Sequence, residues 1–140
     1  MITYVDTSTF VKVLIREPGS GAAREIWNGA RQLASVLLIT VEAHAAIASA
    51  RRAGRLSTMH YERARNELEI RLDELQLADV GHFLVERASE LAAGFGLRGY
   101  DAVHLASAEL VGADLFTSAD GTLCSAARSL GFHVANPMDA

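Results

Sequence analysis

Short apolar runs alternate with longer amphipathic stretches along this chain, and that rhythm predicts a wound α/β sheet. Ile2-Thr3-Tyr4-Val5 is a β-branched and aromatic run that ends on a carboxylate, Asp6. The other strand-like runs are Leu33-Ala34-Ser35, Leu75 to Val80, Leu115-Phe116-Thr117 and, as an edge strand, His133-Val134-Ala135. Thr9 to Arg16 reads as a helix capped by Thr7-Ser8 and closed by Glu17-Pro18-Gly19. Gly21 to Ala30 reads as a second, with Ile26 and Trp27 as its buried side. Thr40 is the expected cap of an alanine-rich helix, Val41 to Ala53, which Gly54 stops. Ser57 opens a helix to about Arg71, and another runs from His82 to Ala93 and ends at Gly94. Gly99-Tyr100-Asp101 opens the helix Ala102 to Val111, and Asp120 to Leu130 forms the last, ending at Gly131. Short strands separated by helices imply a parallel sheet of four to five strands covered by helices on both faces.

Composition narrows the class. A chain of 140 residues fits one domain, residues 1–140, and can bury roughly two-thirds of its unfolded surface. Half of its residues are hydrophobic and only two are proline, so it packs a core. The single Cys124 excludes an internal disulfide, which suits a reducing compartment. No secretory pattern and no long apolar run is present, so a cytoplasmic protein free of membranes is expected. A net charge of −4 argues against nucleic-acid binding through overall charge but leaves room for a local basic face.

Four carboxylates stand where a design for stability alone would place something else. Asp6 ends the first strand, Glu42 and Asp101 open helices, and Asp120 follows the fourth strand. Asp101 shares the inward stripe of its helix with His104, Leu105 and Ala108. In a doubly wound sheet, strand C-ends and helix N-ends share one edge, so the four can converge where ligands bind. Each has an ordinary explanation alone, since Asp and Glu complement the helix macrodipole and Asp120 is a good N-cap. Asp6 is harder to explain that way. Converging carboxylates need a counter-cation, and oxygen ligands favour Mg²⁺ or Mn²⁺ over zinc. Such an ion suits hydrolysis of a phosphodiester. Thr7, Ser8, Thr117 and Ser118 are hydroxyls placed to hold the carboxylates or waters of such an ion.

Val5-Asp6-Thr7-Ser8, Thr40-Val41-Glu42, the run Gly99 to Ala108 and Leu115 to Asp120 resemble the successive motifs of PIN-domain ribonucleases. More narrowly, they resemble the VapC toxins of bacterial VapBC toxin–antitoxin modules. The similarity covers almost the whole chain, and Tyr100 to Ala108 is its most specific part. It implies a three-layer α/β/α fold, a Mg²⁺- or Mn²⁺-dependent endoribonuclease, a homodimer and a cognate VapB-type antitoxin that blocks the site. Asp6, Glu42, Asp101 and Asp120 fall on the family's acidic quartet, with Asp6 and Asp101 as the most direct metal ligands. Thr117 falls near the family's supporting hydroxyl, with Ser118 as the alternative. Because water rather than the 2′-hydroxyl attacks, the expected RNA ends are 5′-phosphate and 3′-hydroxyl.

Competing readings fit less well. Receiver domains use a late lysine, but the only lysine is Lys12; haloacid-dehalogenase-type phosphatases use Asp-x-Asp, but position 8 is Ser8. A non-catalytic metal-binding or phosphate-handling domain is the remaining alternative. His104 reads as a core histidine rather than a base, Asp114 as a turn residue at the far edge, and Cys124 as a small buried side chain. Arg51, Arg52 and Arg55, with Arg63 and Arg65, form a basic cluster. It either grips RNA phosphates or is a solvated face paired with Glu62, Glu67 and Glu69. Phe10, Val13, Leu14 and Trp27 are either core or an apolar surplus for an antitoxin groove or dimer contact.

Overall fold

A computed structural model describes residues 1–139 of the chain. Its five strands are β1 (Ile2–Val5), β2 (Gln32–Val36), β3 (Leu75–Ala78), β4 (Leu115–Thr117) and β5 (His133–Ala135). They form one parallel sheet in the order β3-β2-β1-β4-β5. The winding steps outward from β1 to β3, then returns to the other side of β1 for β4. That reversal places a crevice at the carboxyl ends of β1 and β4, where ligands bind in open α/β sheets.

Alternation along β1 builds two cores. Val5 points into a layer with Phe10, Val13, Leu14, Trp27, Ile47 and Leu68, supplied by helices α1 (Thr7–Leu14), α2 (Ser20–Gly29), α3 (Ile39–Arg52) and α4 (Thr58–Leu72). Tyr4 points into the opposite layer with Leu84, Leu91, Leu105, Phe116 and Leu123, covered by α5 (His82–Phe95), α6 (Gly99–Leu110) and α7 (Gly121–Ser129). Tyr4 and Phe116 are register partners on β1 and β4, and their rings stack 5.5 Å apart at 4°. Phe10, Val13, Leu14 and Trp27 are all buried core residues, so no apolar surplus is left at these positions for a partner. Trp27 additionally donates its indole N–H to Glu74 at 2.8 Å.

Several element ends differ from those the sequence predicts, each for a local reason. The cap of α1 is Asp6, not Thr7-Ser8, because the Asp6 carboxylate reaches the Thr9 N–H. Helix α3 starts before Thr40, with Leu38 at its N-cap and no capping side chain. The chain turns there because the Leu37 N–H is still bonded to Ala78 of β3 and the fully buried Ile39 seats the first turn. Helix α5 passes through Gly94 and ends at Gly96, which takes the left-handed φ of 66° that closes the helix. Gly54 does stop α3: at φ 78° it lets the Arg55 N–H turn back to Ala50 O at 2.9 Å. Among the described residues, no helix is long and apolar enough to cross a membrane.

Candidate active site

Asp6 stands one residue beyond β1, and its N–H still bonds Thr117 O of β4 at 3.1 Å. Its side chain is only 4% exposed and is gripped from three sides. Oδ1 accepts from the Ser8 hydroxyl at 2.7 Å and the Thr9 N–H at 3.0 Å, and Oδ2 accepts from the Ser118 hydroxyl at 2.6 Å. Ser8 and Ser118 are fixed in turn by accepting the N–H groups of Ala119 (2.9 Å) and Asp120 (3.0 Å). The Thr9 and Thr117 hydroxyls meet each other at 3.1 Å instead. Ser8 and Ser118, rather than Thr117, therefore supply the hydroxyls on the Asp6 carboxylate. Burial pushes the Asp6 carboxyl above its ordinary range, against the pull of His104 and of the three donors.

Glu42, in the first turn of α3, is placed by Thr7 and by His104 of α6. Its Oε1 accepts from the Thr7 hydroxyl at 2.8 Å and lies 2.8 Å from His104 Nε2. Partial burial acts to raise the Glu42 carboxyl, but the hydrogen bonds from His104 and Thr7 outweigh it and hold the group below its ordinary range. On the far side of the ring, His104 Nδ1 lies 2.8 Å from the Tyr4 hydroxyl. Burial raises the Tyr4 phenol far above its usual value, so it stays an O–H donor. Tyr4 then donates to Nδ1, which leaves Nε2 protonated and facing Glu42.

His104 is thus buried, as expected of a core histidine, but both of its nitrogens serve the site. Replacing it with leucine keeps the volume and removes both bonds. Stability of His104→Leu should fall by about 1–3 kcal/mol as the Tyr4 hydroxyl loses its partner, and any catalysis that uses Glu42 should fall by about ten- to a hundredfold. His104→Gln, which keeps a donor, should recover part of the activity in single-turnover assays. A leucine variant as active as the parent would show that Glu42 needs no such support.

Asp101 and Asp120 meet through a residue the motifs did not single out. Arg98, at the N-cap of α6, donates Nε to Asp101 Oδ2 at 3.1 Å, and its Nη2 lies 3.6 Å from Asp120 Oδ2. Asp120 caps α7 through Oδ1, which accepts from the N–H groups of Thr122 and Leu123 at 2.9 and 3.2 Å. Its second oxygen remains for a cation. The capping reading of Asp120 is therefore correct but incomplete. The signal that locates Arg98 is its spacing, three residues before Asp101 at the mouth of the same helix.

The structure brings all four carboxylates to one edge in two linked groups. Asp6, Ser118 and Asp120 form a chain that Arg98 extends to Asp101, while Thr7, Glu42 and His104 adjoin Asp6. The N-termini of α1, α3, α6 and α7 converge there, and their dipoles offset part of the negative charge. Among the described residues, no three His, Cys, Asp or Glu side chains close into a ready-made metal cage. The donor set nevertheless fits a hard divalent cation: it is built of carboxylate and hydroxyl oxygens, and Arg98 already seats a cation between two of its members.

Of the remaining candidates, Cys124 lies beneath this edge, where its thiol donates to Ser118 O at 3.3 Å, and the others lie away from it. Asp114 accepts the Ile2 N–H at 2.8 Å at the opposite end of β1, and Cys124 is buried. In the basic cluster, Arg65 pairs with Glu62, Arg55 approaches Glu17 at 3.9 Å, and Arg51 lies over the Tyr61 ring. Glu67 and Glu69 pair instead with Arg71 and His44. Among the described residues, Arg51, Arg52 and Arg63 have no acidic partner, so the fully paired face does not form.

Fold and site together define a doubly wound α/β domain with a carboxylate-lined edge at its switch point. A model of the PIN domain family matches residues 3–129. Ribonuclease VapC49 of Mycobacterium tuberculosis is 36% identical over 111 residues, spanning 79% of this chain and 77% of that protein. The crystal structure of VapC20 of Mycobacterium tuberculosis, described as a sarcin-ricin loop cleaving toxin, superposes with a TM-score of 0.70. That likeness is at 20% identity and covers 93% of this chain and 95% of that one. A toxin–antitoxin complex from Klebsiella pneumoniae superposes with a TM-score of 0.64 at 17% identity, over 96% and 97% of the two chains. The chain belongs to the PIN-domain family and, within it, to the VapC-type proteins.

Proposed function

We propose that this chain, a single PIN domain, is a metal-dependent endoribonuclease that acts as the toxin of a toxin–antitoxin pair. The observation that carries the reading is Asp6: a carboxylate held nearly dry at the switch point, at the head of a chain that reaches Asp120 and, through Arg98, Asp101. A buried carboxylate raised above its ordinary range is stabilised in its charged form by a positive charge, and Asp101 and Asp120 open onto the same edge of the sheet. Kinship with Ribonuclease VapC49 supports RNA as the substrate, and the fold shared with a toxin–antitoxin complex supports a VapB-type antitoxin as the partner.

Asp6 and Asp101 would hold Mg²⁺ or Mn²⁺, with Glu42 and Asp120 completing the set. When bound, the ion supplies neutralisation of the phosphodiester charge and a lowered pKa for water. Ser8, Ser118 and the Thr9 N–H keep the Asp6 carboxylate in one orientation. Glu42, kept ionised by His104 and Thr7, orients the attacking water in line with the leaving oxygen. Arg51, Arg52 and Arg55 lie outside the acidic edge and would meet RNA phosphates.

Purified protein free of antitoxin should cut total RNA at discrete positions with Mg²⁺ or Mn²⁺ and leave it intact with EDTA. The fragments should carry 5′-phosphate and 3′-hydroxyl ends. Fragments ending in 2′,3′-cyclic phosphate would mean that the 2′-hydroxyl attacks, and this mechanism would fall. A second reading, in which the edge binds metal without catalysis, is favoured by no specific contact.

A further inference from the structure

Among the described residues, Arg98 is the only arginine or lysine paired with the site carboxylates, and it sits on Asp101 and Asp120, two of the four that would share a divalent ion. It contributes one positive charge against the two negative charges of Asp101 and Asp120, so the trio keeps a net negative charge. The guanidinium side chain is 82% exposed, while the Asp101 and Asp120 side chains are 20% and 31% exposed. The anions are therefore held in the wall of the site, and the cation lies across their mouth. An arginine guanidinium keeps its proton throughout the range in which proteins fold, so Arg98 never leaves by losing its charge. It leaves only by rotating away.

We propose that Arg98 is a built-in competitor for the metal. In the metal-free protein it neutralises Asp101 and Asp120 and so spares the fold a cluster of unscreened carboxylates. On metal binding the guanidinium is displaced. The device also selects for charge. A monovalent ion gains from the two carboxylates about what Arg98 loses, so it has no advantage, whereas a divalent ion gains about twice as much. This proposal rests on the reading that Asp101 and Asp120 face a divalent cation.

The distinguishing consequence is that removing a charged residue from the site improves metal binding, the opposite of what structural damage does. Mn²⁺ titrated into metal-free protein can be followed by the room-temperature electron paramagnetic resonance signal of the free ion, with no RNA present. Arg98→Gln should bind Mn²⁺ about three- to twenty-fold more tightly than the parent, the range expected from losing two exposed ion pairs that oppose binding. Arg98→Lys, which keeps the charge, should stay near the parent. The advantage of Arg98→Gln should shrink as ionic strength rises and screens the contact.

If the parent binds Mn²⁺ and Arg98→Gln binds equally or more weakly, competition by Arg98 is wrong while the metal site stands. If neither binds Mn²⁺, and Asp101→Asn is no different, the metal reading fails and the proposal fails with it. Binding by Arg98→Gln alone would be the strongest support, because the competitor would then be what keeps the site closed.

Discussion

Asp6→Asn should reduce RNA cleavage by roughly 10²–10³-fold or more while leaving the metal-free fold as stable as the parent or slightly more stable. Both halves follow from one fact. The Asp6 carboxylate is buried, and burial raises its pKa, so its charged form costs more in the metal-free fold than in water. Asparagine keeps the shape and one carbonyl oxygen for the Thr9 N–H, so the cap of α1 survives, and it removes the charge. The lost charge is what would hold the metal. Cleavage rates at saturating Mg²⁺, with thermal melts in EDTA, measure the two effects separately. A variant that keeps activity would remove Asp6 from the site, and one that loses activity only by unfolding would make Asp6 a structural residue. Stability traded for function in this way is common where an active site concentrates like charges.

How much of this was legible in the sequence varies with the distance over which a feature is decided. The β1 run and its terminal Asp6 are local patterns, and the topology that follows from strands alternating with helices brought the four carboxylates to one edge as expected. Caps are decided by competition between neighbours. Asp6 won the cap of α1 from Thr7 and Ser8, and tertiary pairing of Leu37 with β3 moved the start of α3 ahead of Thr40. The choice between Gly94 and Gly96 turns on which residue adopts positive φ, and periodicity does not encode that. His104 was read correctly as buried. Its role was hidden because Tyr4 and Glu42 lie 100 and 62 residues away in sequence. Arg98 was hidden for a different reason: a lone arginine before a helix is common, and only the arrival of Asp120 from another element makes it a shared counter-ion.

The opposite kind of failure is expected at Phe116. Phe116→Ala should cost about 3–5 kcal/mol, the usual penalty for emptying a buried aromatic position, and should lower Tm by about 10 °C or more. Phe116 is fully buried and central to its layer: it stacks on Tyr4 and lies 6.0 Å from Phe132. Removing it frees the Tyr4 ring, and the Tyr4 hydroxyl is what fixes His104 against Glu42, so the damage extends from core to site along named contacts. Trp27 offers an independent probe because it is the only tryptophan and lies in the other layer, stacked on Phe10 at 5.4 Å. Urea unfolding followed by Trp27 fluorescence should shift to a lower midpoint with an unchanged slope, since the sheet joins both layers into one cooperative unit. If Trp27 reports the parental midpoint while circular dichroism shows early loss of structure, the two layers unfold separately. The site would then come apart between them, because His104 and Asp101 ride on α6 while Glu42 rides on α3 and Asp6 caps α1.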